Sequence, residues 1–96
     1  MFVVKLKYKE DKEIKYANKS VIQERKEARN NVDWFRMKLE DASKLMTELI
    51  NRNSESSNYG WGGFVDQKKL DYISIVELST YAPYSEYEVR DFMEFT

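Results

Sequence analysis

Chemistry in this chain would have to come from carboxylates, lysines and tyrosines, because histidine and cysteine are both absent. Without thiols there can be no disulfide, no thiolate metal site and no cysteine nucleophile. Without imidazole the usual general base near neutral pH is missing, and so is the commonest transition-metal ligand. No pair of carboxylates has a spacing that argues for metal binding, and no oxygen-rich calcium loop is written into the chain. The expectation is a protein that is not an enzyme, carries no cofactor or metal, and acts by contact.

Two stretches are suited to contact. Tyr59-Gly60-Trp61-Gly62-Gly63-Phe64 holds all three glycines of the chain. It lacks the lysine and hydroxyl of a phosphate-binding loop and opens no clear helix. One reading tucks its aromatics onto the core. The other presents Tyr59, Trp61 and Phe64 as anchors, since aromatic side chains bury large area at low rotamer cost. The second stretch is the tail from Asp71 onward, where Asp71, Glu77, Glu86, Glu88, Asp91 and Glu94 interleave with Tyr72, Tyr81, Tyr84, Tyr87, Phe92 and Phe95. Only Arg90 opposes those acids. Acids among aromatics suit a basic protein groove, with electrostatics speeding encounter. The expected protein-binding residues are therefore Tyr59, Trp61, Phe64, Tyr84, Tyr87 and Glu88.

Elements must position these residues. Phe2, Val4, Leu6 and Tyr8 alternate with Val3, Lys5, Lys7 and Lys9, which predicts a strand with one buried face and one lysine-lined face. The polar turn Glu10-Asp11-Lys12-Glu13 leads into a short return strand at Ile14-Lys15-Tyr16. Ala28, Val32, Phe35, Leu39, Ala42, Met46 and Leu49 then recur every three or four residues. That register predicts one amphipathic helix over about 20–52. Ser20 with Gln23 fits a capping box at its start, while Glu40 with Lys44 and Glu48 with Arg52 support it further on. A continuous helix of this length would reach about 50 Å, more than a domain of this size spans. It must protrude, pair with a second copy or break, and Asn30-Asn31 is the natural breakpoint. A short strand over 34–38 followed by a helix from Asp41 is the alternative. Leu70–Ser79 is a strand with apolar residues on both faces, which predicts a central place in the sheet. For 86–95, Ser85 with Glu88 favours a short C-terminal helix, while Tyr87, Val89, Met93 and Phe95 fit a strand nearly as well.

The fold class expected is α+β, with residues 1–96 as one domain: a small antiparallel sheet, made of an N-terminal hairpin and the strand near 70–79, packed on a long helix. The net charge of −1 conceals thirteen basic and nine acidic residues in 1–52, against three and eight in 53–96. No apolar run approaches the roughly 20 residues of a membrane span, and the short one at Met1–Val4 is no signal peptide, so a cytoplasmic location without membrane attachment is expected. Many Lys, Asn, Ile and Tyr residues with little Pro or Gly suit an AT-rich phage or mobile-element gene. The function expected is a small protein-binding modulator or inhibitor of a host protein, one handling nucleic acid or serving defence. The first alternative is a homodimer zipped along Val32, Phe35, Leu39 and Met46. A nucleic-acid binder using Lys5, Lys7, Lys9, Lys26 and Arg29 is the second, disfavoured by the slightly acidic balance.

Overall fold

The computed structural model describes residues 1–55, 69–80 and 85–95, and Tyr59, Trp61, Phe64 and Tyr84 lie outside the described residues. Five antiparallel strands form one sheet: β1 (Phe2–Tyr8), β2 (Lys15–Ala17), β3 (Ile22–Glu24), β4 (Leu70–Leu78) and β5 (Glu86–Glu94), in the order β3-β2-β1-β4-β5. A four-residue helix α1 (Arg25–Ala28), a 3₁₀ segment over Arg29–Trp34 and the long helix α2 (Leu39–Glu55) complete an α+β fold. The two best strand patterns of the sequence, β1 and β4, lie side by side at the centre, paired from Phe2↔Glu77 to Tyr8↔Leu70.

Each sheet face has its own core. On one face Ala42, Leu45, Met46 and Leu49 of α2 pack on Val4, Leu6, Leu70, Ile73 and Ile75. On the other, Ala28 and Phe35 cover Val3, Tyr16, Val76 and Leu78. The Phe35 and Tyr16 rings meet at 6.2 Å with an interplanar angle of 52°. At about 1.5 Å per residue, α2 is about 26 Å long, short enough to lie along a nine-residue strand.

The single helix expected over 20–52 is therefore corrected. Its apolar register is real, but Ala28, Val32 and Phe35 serve one face of the sheet, and Ala42, Met46 and Leu49 serve the other. The chain changes faces around Met37, which exchanges two 2.8 Å backbone hydrogen bonds with Phe2 beyond the end of β2. Asn31 carries the break, with non-helical φ −133° and ψ 43°. Asparagine competes locally for backbone hydrogen bonds and is a weak helix former, so the turn there costs little. The alternative of an extended piece at 34–38 before a helix lies nearer the outcome. Ser20 caps nothing: Asn18 Oδ1 accepts the Ser20 and Val21 N–H groups in the turn between β2 and β3, and Gln23 sits opposite Tyr16 in the ladder. The Glu40–Lys44 and Glu48–Arg52 pairs do form on α2, at 3.4 and 2.6 Å.

The expected C-terminal helix is also corrected, because 86–94 is a strand. Ser85 donates its N–H to Ser79 Oγ and accepts from the Ser79 N–H, closing the β4–β5 ladder where a cap was expected. A free flank of β4 offers this segment, rich in the strand formers Tyr87, Val89 and Phe92, ladder partners for seven of its nine residues. A short isolated helix would have only its own hydrogen bonds.

Candidate interaction surface

β5 is the edge of the sheet, and among the described residues it pairs with β4 alone. Eight of its nine residues are exposed, an unusual state for a strand carrying four large apolar side chains. Tyr87, Val89, Phe92 and Met93 are 60, 57, 52 and 42% exposed. Val89 lies opposite Val76 and Phe92 opposite Ser74, beyond the part of that face covered by Phe35 and Ala28. Phe92 stacks on Tyr72 with centroids 5.7 Å apart and planes 23° from parallel. Met93 lies opposite Ile73, at the margin of the face that carries α2. Single exposed apolar residues are ordinary, whereas several in series on an edge strand mark a contact surface or an aggregation hazard.

Electrostatics give this edge its sign. Four acids and one arginine lie on β5. Glu77 ties Arg90 and Tyr87 down, accepting 3.2 and 3.0 Å bonds from the Arg90 guanidinium and a 2.7 Å bond from the Tyr87 hydroxyl. The hydroxyl and the guanidinium together hold the Glu77 carboxyl below its usual range, and the Glu77 carboxylate raises the Tyr87 phenol. Arg90 and Tyr87 are the residues that the β4–β5 ladder skips, at shifts between Ile75 and Val76 and between Glu77 and Leu78. The Arg90 guanidinium also lies 5.7 Å from the centroid of the Phe2 ring. Asp91 accepts the Phe92 N–H, while Glu88 and Glu94 have no side-chain partner among the described residues.

Glu86 anchors the start of the strand. Lys5 donates to it at 2.8 Å, Arg25 at 3.4 Å, and the Tyr16 hydroxyl donates to its second oxygen. Burial alone would raise this carboxyl, but the Lys5 and Tyr16 hydrogen bonds, with the charges of Lys5 and Arg25, overcome it and lower its pKa. Tyr16 is pushed well above the ordinary phenol range by burial and by the carboxylate it faces.

The expected contacts divide accordingly. Tyr87 and Glu88 sit together on the exposed edge, whereas Tyr59, Trp61, Phe64 and Tyr84 fall outside the described residues. The structure adds Val89, Phe92 and Met93 to that exposed edge, a grouping that the helix expected over 86–95 does not make. Their alternation with acids was the available signal. The residues of the expected zipper do not form one stripe: Phe35 and Met46 are buried in different cores, Val32 is half-buried beside Phe35, and Leu39 is 41% exposed. Among the expected phosphate contacts, Lys5 is held by Glu86 and Lys7 by Asp71, while Lys26 on α1 and Arg29 just after it line a separate cavity.

Among the described residues no cluster of three Asp or Glu is arranged to hold a metal ion. No helix among them is long and apolar enough to cross a membrane. The class defined by this architecture is a small α+β protein with one five-stranded antiparallel sheet. Comparison with protein-family models, with curated proteins and with solved structures gave no match.

Proposed function

We propose that this chain is a non-enzymatic protein-binding module whose contact surface is the β5 edge, and that its partner presents a basic, extended segment. The observation that carries this reading is the nine-residue edge strand with exposed Tyr87, Val89, Phe92 and Met93. Strand addition supplies main-chain hydrogen bonds, and side chains on alternate faces supply selectivity. Glu88, Asp91 and Glu94 favour a cationic partner and disfavour a second copy, which would bring four acids against four. Proteins that handle nucleic acid carry such basic surfaces, so a phage-type modulator occupying a host protein of that kind fits the charge. The ladder shifts twist the first half of β5, leaving Asp91–Glu94 as its regular stretch.

The test is an NMR titration of the labelled protein with a synthetic peptide alternating lysine and valine. Amide shifts centred on 88–95, lost in a Val89→Lys, Phe92→Lys double variant, are the expected result. An unchanged spectrum, or equal binding by the variant, overturns the reading. Sedimentation showing a dimer abolished by the same substitutions would assign the edge to self-association instead.

A further inference from the structure

Between the turn after β1 and the start of α1, Lys12, Glu13, Ile14, Arg25, Lys26 and Arg29 line an open cavity of about 380 Å³. Four of its six lining residues are cations and only one is an acid. The cavity has two walls, the turn after β1 and the start of α1, and the Arg25 N–H joins them through a 2.8 Å bond to the Ile14 carbonyl. Arg25 is also held from behind by Glu86, so its guanidinium is placed before any ligand arrives. Two nearby carboxylates are engaged elsewhere, Asp11 with Lys15 at 3.5 Å and Glu27 with Gln23 at 3.3 Å. Lys12, Lys26 and Arg29 have no carboxylate partner among the described residues.

Like charges gathered on one concavity repel one another and attract a compact polyanion. The volume lies near the lower end of the roughly 300–1,000 Å³ of small-ligand sites. Its walls are charged apart from Ile14, with no aromatic ring on which a base could stack. Arginine forks and lysine ammonium groups together match phosphate oxygens. We propose that this cavity is a binding site for an oligophosphate, two or three linked phosphate groups free or at the end of a small molecule. A nucleic-acid backbone carries the same chemistry, but acids flank the cationic lining residues in sequence on both segments. Glu10, Asp11, Glu24 and Glu27 border it in sequence, and Asp33 engages Arg36.

The experiment titrates the full chain with inorganic tripolyphosphate at low salt, followed by calorimetry and amide shifts, with orthophosphate and a short oligothymidylate as separate arms. Tripolyphosphate is expected to bind saturably, at least about tenfold tighter than orthophosphate, with shifts confined to 12–14 and 25–29. A Lys26→Gln, Arg29→Gln double variant should lose about tenfold or more while its thermal melting is unchanged, because both side chains are exposed. A Lys38→Gln, Lys44→Gln variant should bind like the parent. Absence of saturable binding, or equal losses in both variants, overturns the proposal. Tighter binding of the oligothymidylate, with shifts spreading beyond the cavity, also overturns it and makes this surface a nucleic-acid contact.

Discussion

At one end of the sheet β3 contributes three residues and runs directly into α1, while at the other β5 runs nine residues with nothing described beyond it. The first edge is short and sits beside a basic concavity; the second is long, acidic and studded with apolar side chains. Proteins commonly blunt edges by shortening, covering or charging them. Here the β3 end is short and passes into helix, while the β5 end has only charge and two ladder shifts. Under the proposed reading, partner strands are recognised at the β5 edge, while the β3 end carries the buried Phe35–Tyr16 packing. Glu86 joins the two, reaching from β5 to Tyr16 on β2 and Arg25 on α1.

Substitutions that separate stability from recognition test the contrast most severely. Phe35→Ala should cost about 3–5 kcal/mol, because the ring is 2% exposed and leaves a cavity against Tyr16 and Val76. Urea unfolding measures the loss, and hydrogen exchange should show β3 and α1 amides loosening before those of β5. Uniform loosening would erase the division between the two ends.

A smaller effect is expected from the residue linking them. Glu86→Gln leaves Lys5 and Arg25 without their carboxylate, with Lys5 only 19% exposed, and should cost about 2 kcal/mol in urea at neutral pH. The pH dependence carries the same information. Because the folded-state pKa of Glu86 is lowered, the unfolded chain binds more protons in acid. Its stabilisation is complete above the ordinary carboxyl value of 4.5 and drains away as pH falls through the lowered value. The Tyr16 phenol is raised, so its contribution is whole below pH 10.0 and is lost as pH rises beyond it. Urea midpoints across the pH range should show a plateau between these limits, and Glu86→Gln should flatten the acid limb.

The Val89→Lys, Phe92→Lys variant tests the proposed contact edge. It should change stability by no more than about 1 kcal/mol, since both residues are about half exposed, yet weaken the lysine–valine peptide at least about tenfold. A large stability loss would show that these side chains serve the fold. Smallest of all is Leu39→Ala, at 41% exposure, expected within about 0.5 kcal/mol by urea unfolding. A larger cost, or a change in sedimentation at micromolar concentration, would restore a role for the helical zipper.

Much of the central fold was legible. The period-two alternation of Phe2–Tyr8 and the doubly apolar Leu70–Leu78 mark β1 and β4, and those strands pair along their length. The part of the expected 20–52 helix that forms α2, with its two ion pairs, was also readable. Residues 20–38 were misleading because three-to-four spacing records which positions are buried, without recording against which face. Ala28 and Ala42 are both fully buried, fourteen residues apart in one register, yet opposite faces of the sheet cover them. Half of the candidate edge was legible, through Tyr87 and Glu88. Val89, Phe92 and Met93 were obscured because four acids among apolar residues fit a helix face and a strand edge almost equally.

The residues alone determined that neither thiol nor imidazole chemistry is available, that strands over 2–8 and 70–79 flank a largely helical middle, and that the bases thin out late in the chain. Tertiary structure decided where the middle segment crosses from one face to the other, that 86–94 completes a ladder, and that Lys12, Arg25, Lys26 and Arg29 share a cavity. The physical reason is range: composition and local period act within a few residues, whereas a free strand edge or a converging set of charges exists only after distant segments meet.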